Sequence, residues 1–391
     1  MIIKKIKLLN WKNFQHCEVE VTDRCFIIGA NASGKSNFID VLRFLRDISK
    51  QAGGLQSAVE GRGGITKIRC LAARRQTNVA ITVELGNPNE KANLWRYHIE
   101  FAHIGGGIRK NQVKIVSEDV FSYQQNKFVL QRPGNKHKED GETLKYTHLE
   151  QATANREFRE LQTFFQNIEY LNVIPQMVRE STSVVQSSTH EDYYGRNFLE
   201  RLSKMHERTR NAYFKKINSI LKIAVPQLEE LSFIKDDMGI PHLEARYKHW
   251  RRDGAKQQEA QFSDGTLRLI GFLFALIDNN GVILLEEPEI NLHSGIIAQL
   301  PEFIAKIQRN KKTTSQILLT THSYDMLSNE GISPDEVLVL QNTQEGTTVT
   351  KVSDIAEIKA IIDTGLSIAD AVIPITKPEN IQQFAQLTFG F

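Results

Sequence analysis

Hydrophobic positions change their period several times along the chain, and each change marks an element. From Ile2 to Leu9 and again from His16 to Ile28, apolar and polar residues alternate, the two-residue period of strands with one covered face. Phe38, Ile39, Val41, Leu42, Leu45 and Ile48 then recur at helical spacing and predict a helix from about Ser36 to Gln51. Gly53–Gly64 holds five glycines and is expected to be a mobile loop. Short strands follow between Asn78 and Leu149, among them Val79–Leu85 and Leu94–Phe101, and later ones are separated by QQNK and by the charged RPGNKHKEDG.

Over 150–225 the spacing turns helical, interrupted by IEYLNVIPQ near 168–176 and by the Ser/Thr-rich ESTSVVQSSTHED. Strands return from Leu228 to Phe262, with a turn expected at Asp253–Gly254. Beyond Ser263 the order is helix, strand (Gly281–Glu286), helix, strand (Ser315–Thr321), helix, strand (Glu336–Gln341) and a helical tail. Regular strand–helix alternation implies a parallel sheet covered by helices. No heptad pattern persists long enough for a coiled-coil arm. The expected organisation is a β-rich lobe over 1–150, a helical insertion over 151–228, and an α/β lobe with C-terminal helices over 229–391.

Composition narrows the class. With 49 Lys+Arg against 46 Asp+Glu, the net charge of +3 gives no global field for nucleic acid, so any such contact needs a local patch. The densest basic–aromatic run is Arg246–Arg252. It reads as a hairpin arm with solvated side chains, the alternative being a surface that tracks a phosphate backbone. Arg179 and the Arg74–Arg75 pair are further basic candidates. Three cysteines (Cys17, Cys25, Cys70) in no CxxC pair exclude a disulfide framework. The longest apolar runs, such as Gly271–Ile277, fall far short of the roughly 18 residues of a membrane span, and the N-terminus lacks a signal-peptide core. A cytoplasmic protein without membrane contact is expected.

Three segments carry chemistry. Gly29-Ala30-Asn31-Ala32-Ser33-Gly34-Lys35-Ser36 fits GxxxxGK[ST], with an apolar strand before it and an amphipathic helix after it. Such a loop wraps phosphates with backbone N–H groups at a helix N-terminus; Lys35 reaches the β- and γ-phosphates, and the Ser36 hydroxyl is placed to ligate Mg²⁺. Val282–Leu285 is a buried-strand run ending in Glu286 and Glu287. Neighbouring strand residues face opposite sides, so Glu286 is expected toward the metal and Glu287 toward the water that attacks the γ-phosphate. Ser263 reads as an N-cap, and Gly265 permits close backbone approach before a strongly apolar helix. Thr321-His322-Ser323 closes a strand at the ligand edge of an open α/β sheet.

Together these segments resemble the ABC-type ATPase heads of the RecF, SMC and OLD group, and more narrowly the stand-alone AAA-type ATPases of bacterial defence and toxin-like operons. GxNxSGKSN is the Walker A form of that group, matched by Asn31, Ser33 and Asn37. SDGT is similar to its ABC signature, LLEEPEINLH to its extended Walker B and D-loop, TTHS to its switch histidine, and NWKNF to its opening strand. The similarity is strong over roughly 1–50 and 255–345. Two departures stand out: Glu286 occupies a position that is Asp in many ABC proteins, and Asp264 replaces the first glycine of LSGGQ. The Q-loop glutamine implied by the resemblance is Gln176, which otherwise reads as a surface residue in a turn.

The resemblance implies a P-loop NTPase with ATP and Mg²⁺ as cofactors and Lys35, Glu287 and His322 as catalytic residues. One Walker A and one signature per chain imply a homodimer sandwiching two nucleotides, Ser263 serving the partner copy's γ-phosphate. No zinc spacing, HExxH, GxSxG or Toprim-like acidic cluster is present in the sequence, so a nuclease or toxin effector would be a separate protein, with DNA as a possible further partner. The expected function is an ATPase that couples dimerisation to DNA or an effector in anti-phage defence. The rivals are an ATP-holding scaffold that cages a toxin with little turnover, and a RecF-like DNA-repair ATPase.

Overall fold

The computed structural model describes residues 1–377 apart from 52, 75, 89, 105–111, 135–139, 181–194, 196, 251–254, 280 and 311–314. Its strands, in chain order, are β1 (Ile2–Trp11), β2 (Phe14–Glu20), β3 (Arg24–Gly29), β4 (Val79–Gly86), β5 (Asn93–His103), β6 (Val113–Ser122), β7 (Lys127–Arg132) and β8 (Glu169–Leu171). There follow β9 (Leu228–Lys235), β10 (Pro241–Tyr247), β11 (Ala255–Gln258), β12 (Val282–Glu286), β13 (Gln316–Thr320), β14 (Val337–Thr343) and β15 (Gly346–Lys351). The chain divides into two compact units, one of Met1–Glu169, Asn280–Leu284 and Lys311–Phe391, the other of Tyr170–Asn279 and Leu285–Asn310.

In the first unit, an antiparallel sheet runs in the order β2-β1-β4-β5-β6-β7. The alternation read from the sequence is a real pleat: Ile6, Leu8, Ile81, Val83, Tyr97, Ile99 and Phe101 are all buried. They meet the apolar stripe of the helix Lys35–Ile48, where Trp11 packs on Phe44 (ring centroids 5.1 Å apart), Phe44 on Phe101 (5.5 Å) and Phe14 on Phe38 (6.0 Å). A second sheet has the order β15-β14-β3-β13-β12-β8. β3 is wholly buried and pairs in parallel with both β13 and β14, as the strand–helix alternation predicts. Arg24 opens β3 with a bidentate grip on Glu336 (3.0 and 2.7 Å).

Two expectations need correction. Gly53–Gly64 is not a loop throughout, because Gly54–Glu60 is a helix with Leu55, Ala58 and Val59 buried. Its glycines sit at the ends, Gly53 in a positive-φ conformation (97°), so they punctuate a short helix. The tail beyond Gln341 is not purely helical either: β14 turns back through Gly346 into β15, antiparallel to it, before the helices Ala356–Asp363 and Ile368–Thr376. The polar residues of β15 hid its strand period. RPGNKHKEDG lies partly, and ESTSVVQSSTHED almost wholly, outside the described residues, as does the Asp253–Gly254 turn.

In the second unit, the antiparallel sheet β11-β10-β9 packs against the helix Glu207–Ala224, whose Asn218 side chain bonds the Leu231 backbone twice (2.8 and 2.7 Å). The helix Asp264–Asp278 is apolar on nearly every side; its Phe274 packs edge-on against Phe198 (5.3 Å) and Tyr213 (5.6 Å). Glu207–Ala224, with 18 residues, is the longest described helix, so no long coiled coil occurs among the described residues. No described helix is long and apolar enough to cross a membrane.

One buried charge braces the first unit. Asp40, on the helix Lys35–Ile48, accepts two hydrogen bonds from Arg62 (2.9 Å each) and pairs with Lys12 (2.7 Å). Burial pushes its carboxyl up, but the Arg62 guanidinium and the Lys12 ammonium outweigh that and hold it at about 2. A depressed folded-state pKa adds stability that is complete above the unfolded value of about 4 and drains away as pH falls towards the folded value. Asp40→Asn, leaving two cations facing a neutral amide, should lose about 3 kcal/mol in urea unfolding at pH 7. The gap between variant and parent should narrow below pH 4; a constant gap down to pH 2 would contradict this account.

Candidate active site

Gly29–Ser36 links a buried strand to a buried helix, so its own backbone has little room for choice. Ala32 (φ 62°) and Gly34 (φ 97°) both adopt left-handed conformations, which fold the chain back on itself before Lys35. A Cβ at Gly34 would collide with the Asn13 carboxamide, so this position requires glycine for space as well as for φ. The helix Lys35–Ile48 begins at Gly34 without a side-chain cap and without an acid in its first turn. Its leading N–H groups and the positive end of its dipole therefore point to an anion.

Side chains around the loop agree with that polarity. The Lys35 ammonium is nearly buried and donates to the Gly29 and Ala30 carbonyls (3.1 and 3.2 Å), so it lies across the loop. The Ser33 hydroxyl is buried and has no hydrogen-bond partner among the described residues, an unfavourable state that a ligand oxygen would relieve. Ser36 and Asn37 line an open cavity of about 960 Å³ with Lys12, Asn13, Arg43 and Arg62. Asn37 donates to Asn13 (2.8 Å), and Asn31 is exposed. The arrangement fits a phosphate chain.

His322 reaches the same sheet edge. β13 pairs with β3 in the register Thr320 to Ile27, and the Thr321 N–H donates to the Ile27 carbonyl (3.1 Å). The exposed His322 thus follows the strand beside the one that feeds the phosphate loop, while Ser323 caps the short helix Tyr324–Leu327.

Within the second unit, β12 ends at the half-buried Glu286. Glu287 lies beyond the strand in a left-handed conformation (φ 41°), so a turn, and not the pleat, sets it apart from Glu286. That corrects the strand-alternation argument for the two carboxylates. A non-glycine residue held there is strained by roughly 1 kcal/mol or more, a feature concentrated at functional sites. Ser263 is the N-cap read from the sequence, accepting from the Thr266 N–H (3.2 Å). Gly265 presses on the Asn291 carbonyl, with which a Cβ would collide, so the SDGT and INLH segments touch.

Gln176 is exposed and donates to Glu180, the C-cap of its helix Pro175–Arg179. The residue that reaches the SDGT segment is Arg179, bonded to the Phe262 carbonyl (2.7 Å) and to the Asp264 carboxylate (2.6 Å). The departure at Asp264 therefore has a partner that spacing could not reveal. One turn on, burial lowers the Arg268 pKa against the pull of Asp264 and Glu287.

Within the basic run 246–252, Arg246 is neutralised. Arg246 pairs with Glu229 and Glu230 (3.2 Å each) on a hairpin arm, and the nearby Lys256 pairs with Glu244 (3.0 Å). Arg251, Arg252 and Arg75 lie outside the described residues. Among the described residues, no group of three or more His, Cys, Asp or Glu forms a metal cage. The Ser36 hydroxyl, in the first unit, and the Glu286 carboxylate, in the second, are each of the oxygen type that Mg²⁺ takes.

A protein-family model described as "AAA domain, putative AbiEii toxin, Type IV TA system" matches residues 25–328. No curated protein matches the sequence. Among solved structures, an Smc head bound to the C-winged helix domain of ScpA is 14% identical, with a TM-score of 0.52 over 90% of this chain and 97% of that one. The Smc head with an extended coiled coil, bound to the C-terminal domain of ScpA from Pyrococcus furiosus, is 13% identical, with a TM-score of 0.53 over 93% and 98%. At these identities the likeness shows the fold.

The contact under Gly265 yields a direct test. Gly265→Ala should lower unfolding stability by about 1–3 kcal/mol, because the new methyl must displace the Asn291 backbone. Unchanged urea midpoints would show that this packing is loose.

Proposed function

The chain belongs to the AAA-domain family whose model it matches and has the fold of an ABC-type, SMC-like P-loop ATPase head, and from that premise we propose that it is a Mg²⁺-dependent ATP hydrolase. The observation that carries the reading is the phosphate loop, with its uncapped helix start, buried Ser33 hydroxyl and Lys35 laid across it. Backbone N–H groups from Gly29, Asn31, Ala32 and Gly34 through Asn37 would surround the phosphates with the Ser33 hydroxyl, and Lys35 would balance their charge. Ser36 and Glu286 are the ligands proposed for Mg²⁺. When bound, Mg²⁺ offsets charge on the β- and γ-phosphates.

Glu287 is assigned as the base that takes a proton from the attacking water as its oxygen bonds the γ-phosphorus and the bond to the bridging oxygen breaks. His322 would hydrogen-bond the γ-phosphate, and Gln176 is the Q-loop candidate. Each chain has one Walker A loop and one SDGT segment, so the proposed active form is a homodimer. In it, Ser263, Gly265 and the first turn of Asp264–Asp278 would serve the nucleotide held by the other copy. The family's description, which names a toxin and a toxin–antitoxin system, supports bacterial defence as the setting and a separate effector protein as the partner. The neutralised Arg246 favours a protein partner over DNA along the hairpin arm.

Lys35→Ala should abolish ATP binding. Glu287→Gln should bind ATP normally but release phosphate roughly 10²- to 10⁴-fold more slowly. Parent-like turnover in Glu287→Gln would remove the assigned base; tight ATP binding with negligible parental turnover would favour an ATP-holding switch.

A further inference from the structure

The phosphate loop is gripped from its outer side by two turns, β1–β2 and β14–β15. The β1–β2 turn passes through Lys12 in a left-handed conformation (φ 50°), which brings Asn13 beneath the loop. Asn13 Nδ2 donates to the Ser33 carbonyl (3.0 Å) and to Thr347 Oγ1 (2.6 Å), while its Oδ1 accepts from Asn37 (2.8 Å). From the β14–β15 hairpin, Thr347 Oγ1 lies 3.0 Å from the same Ser33 carbonyl, and the Thr347 N–H donates to the Asn13 carbonyl (2.8 Å). Gly346 leaves no room for a Cβ beside the Asn13 backbone, so the two turns also touch each other.

Peptide planarity turns this grip into function. In a trans peptide the C=O and the following N–H point in opposite directions. Two donors that hold the Ser33 carbonyl outward therefore aim the Gly34 N–H inward, to the side where the helix Lys35–Ile48 begins. The Gly34 N–H has no acceptor among the described residues. We propose that Asn13 and Thr347 are positioning residues that orient the Ser33–Gly34 peptide so that the Gly34 N–H donates to a nucleotide phosphate. This rests on the ATP-binding reading above.

The test is titration of the full chain with a fluorescent ribose-labelled ATP in the presence of Mg²⁺, alongside steady-state turnover and thermal unfolding. Thr347→Val keeps the side-chain shape without the hydroxyl, and Asn13→Asp keeps the shape without the N–H donors. Each should weaken nucleotide binding about five- to tenfold, as expected for one misdirected hydrogen bond. kcat at saturating ATP should stay within about twofold of the parent, and Thr347→Ser should restore affinity. If both variants bind like the parent while Lys35→Ala does not bind, the proposal is wrong and the ATP reading stands. A fall in thermal stability and kcat at unchanged KM would assign these residues a purely structural role and overturn it too. Failure of the parent itself to bind would remove both readings.

Discussion

Everything in the candidate site depends on one constraint, the need to turn the chain between a fully buried strand and a largely buried helix within a few residues. β3 cannot slide, because β13 and β14 flank it in parallel. The helix Lys35–Ile48 cannot shift, because Phe38 and Phe44 are locked among Phe14, Trp11 and Phe101. The connection must therefore use left-handed backbone at Ala32 and Gly34, and that geometry exposes N–H groups with no acceptor in the helix. A loop of this kind is prepared for negative charge before any ligand arrives. Preorganised backbone dipoles are effective because they need not reorganise when charge is delivered.

The second unit solves a related problem with different means. Its helix Asp264–Asp278 also starts near the surface, but there Ser263 supplies a cap and Asp264 an acid in the first turn. Such a terminus is already partly satisfied. Arg179 ties Asp264 to the helix Pro175–Arg179, and Gly265 seats the Asn291 carbonyl. Three segments distant in sequence thus share one small region, so a displacement of any of them would be felt by the others.

The most legible parts of the sequence were those with a strong period or a fixed spacing. β4 and β5, the helix Lys35–Ile48 and the parallel trio β3, β13 and β14 follow from alternation, helical recurrence and strand–helix order. The phosphate loop followed from its glycines and lysine. Short elements with mixed signals were illegible: Gly54–Glu60 hides between glycines, and β15 carries too many threonines to show a buried face. The Arg179–Asp264 bond and the Asn13–Thr347 grip join residues 85 and 334 positions apart, and no local pattern encodes such pairs. Glu287 reads as a candidate from its place after a buried run, but its turn geometry is set by φ, which no spacing rule supplies.

Hydrogen–deuterium exchange reads the backbone N–H groups of the phosphate loop themselves. Addition of ATP and Mg²⁺ should slow exchange in peptides covering Ile28–Asn37, in the parent and in Glu287→Gln alike, and leave Lys35→Ala unchanged. Protection elsewhere in the chain with none over Ile28–Asn37 would contradict the assignment of this loop as the nucleotide site.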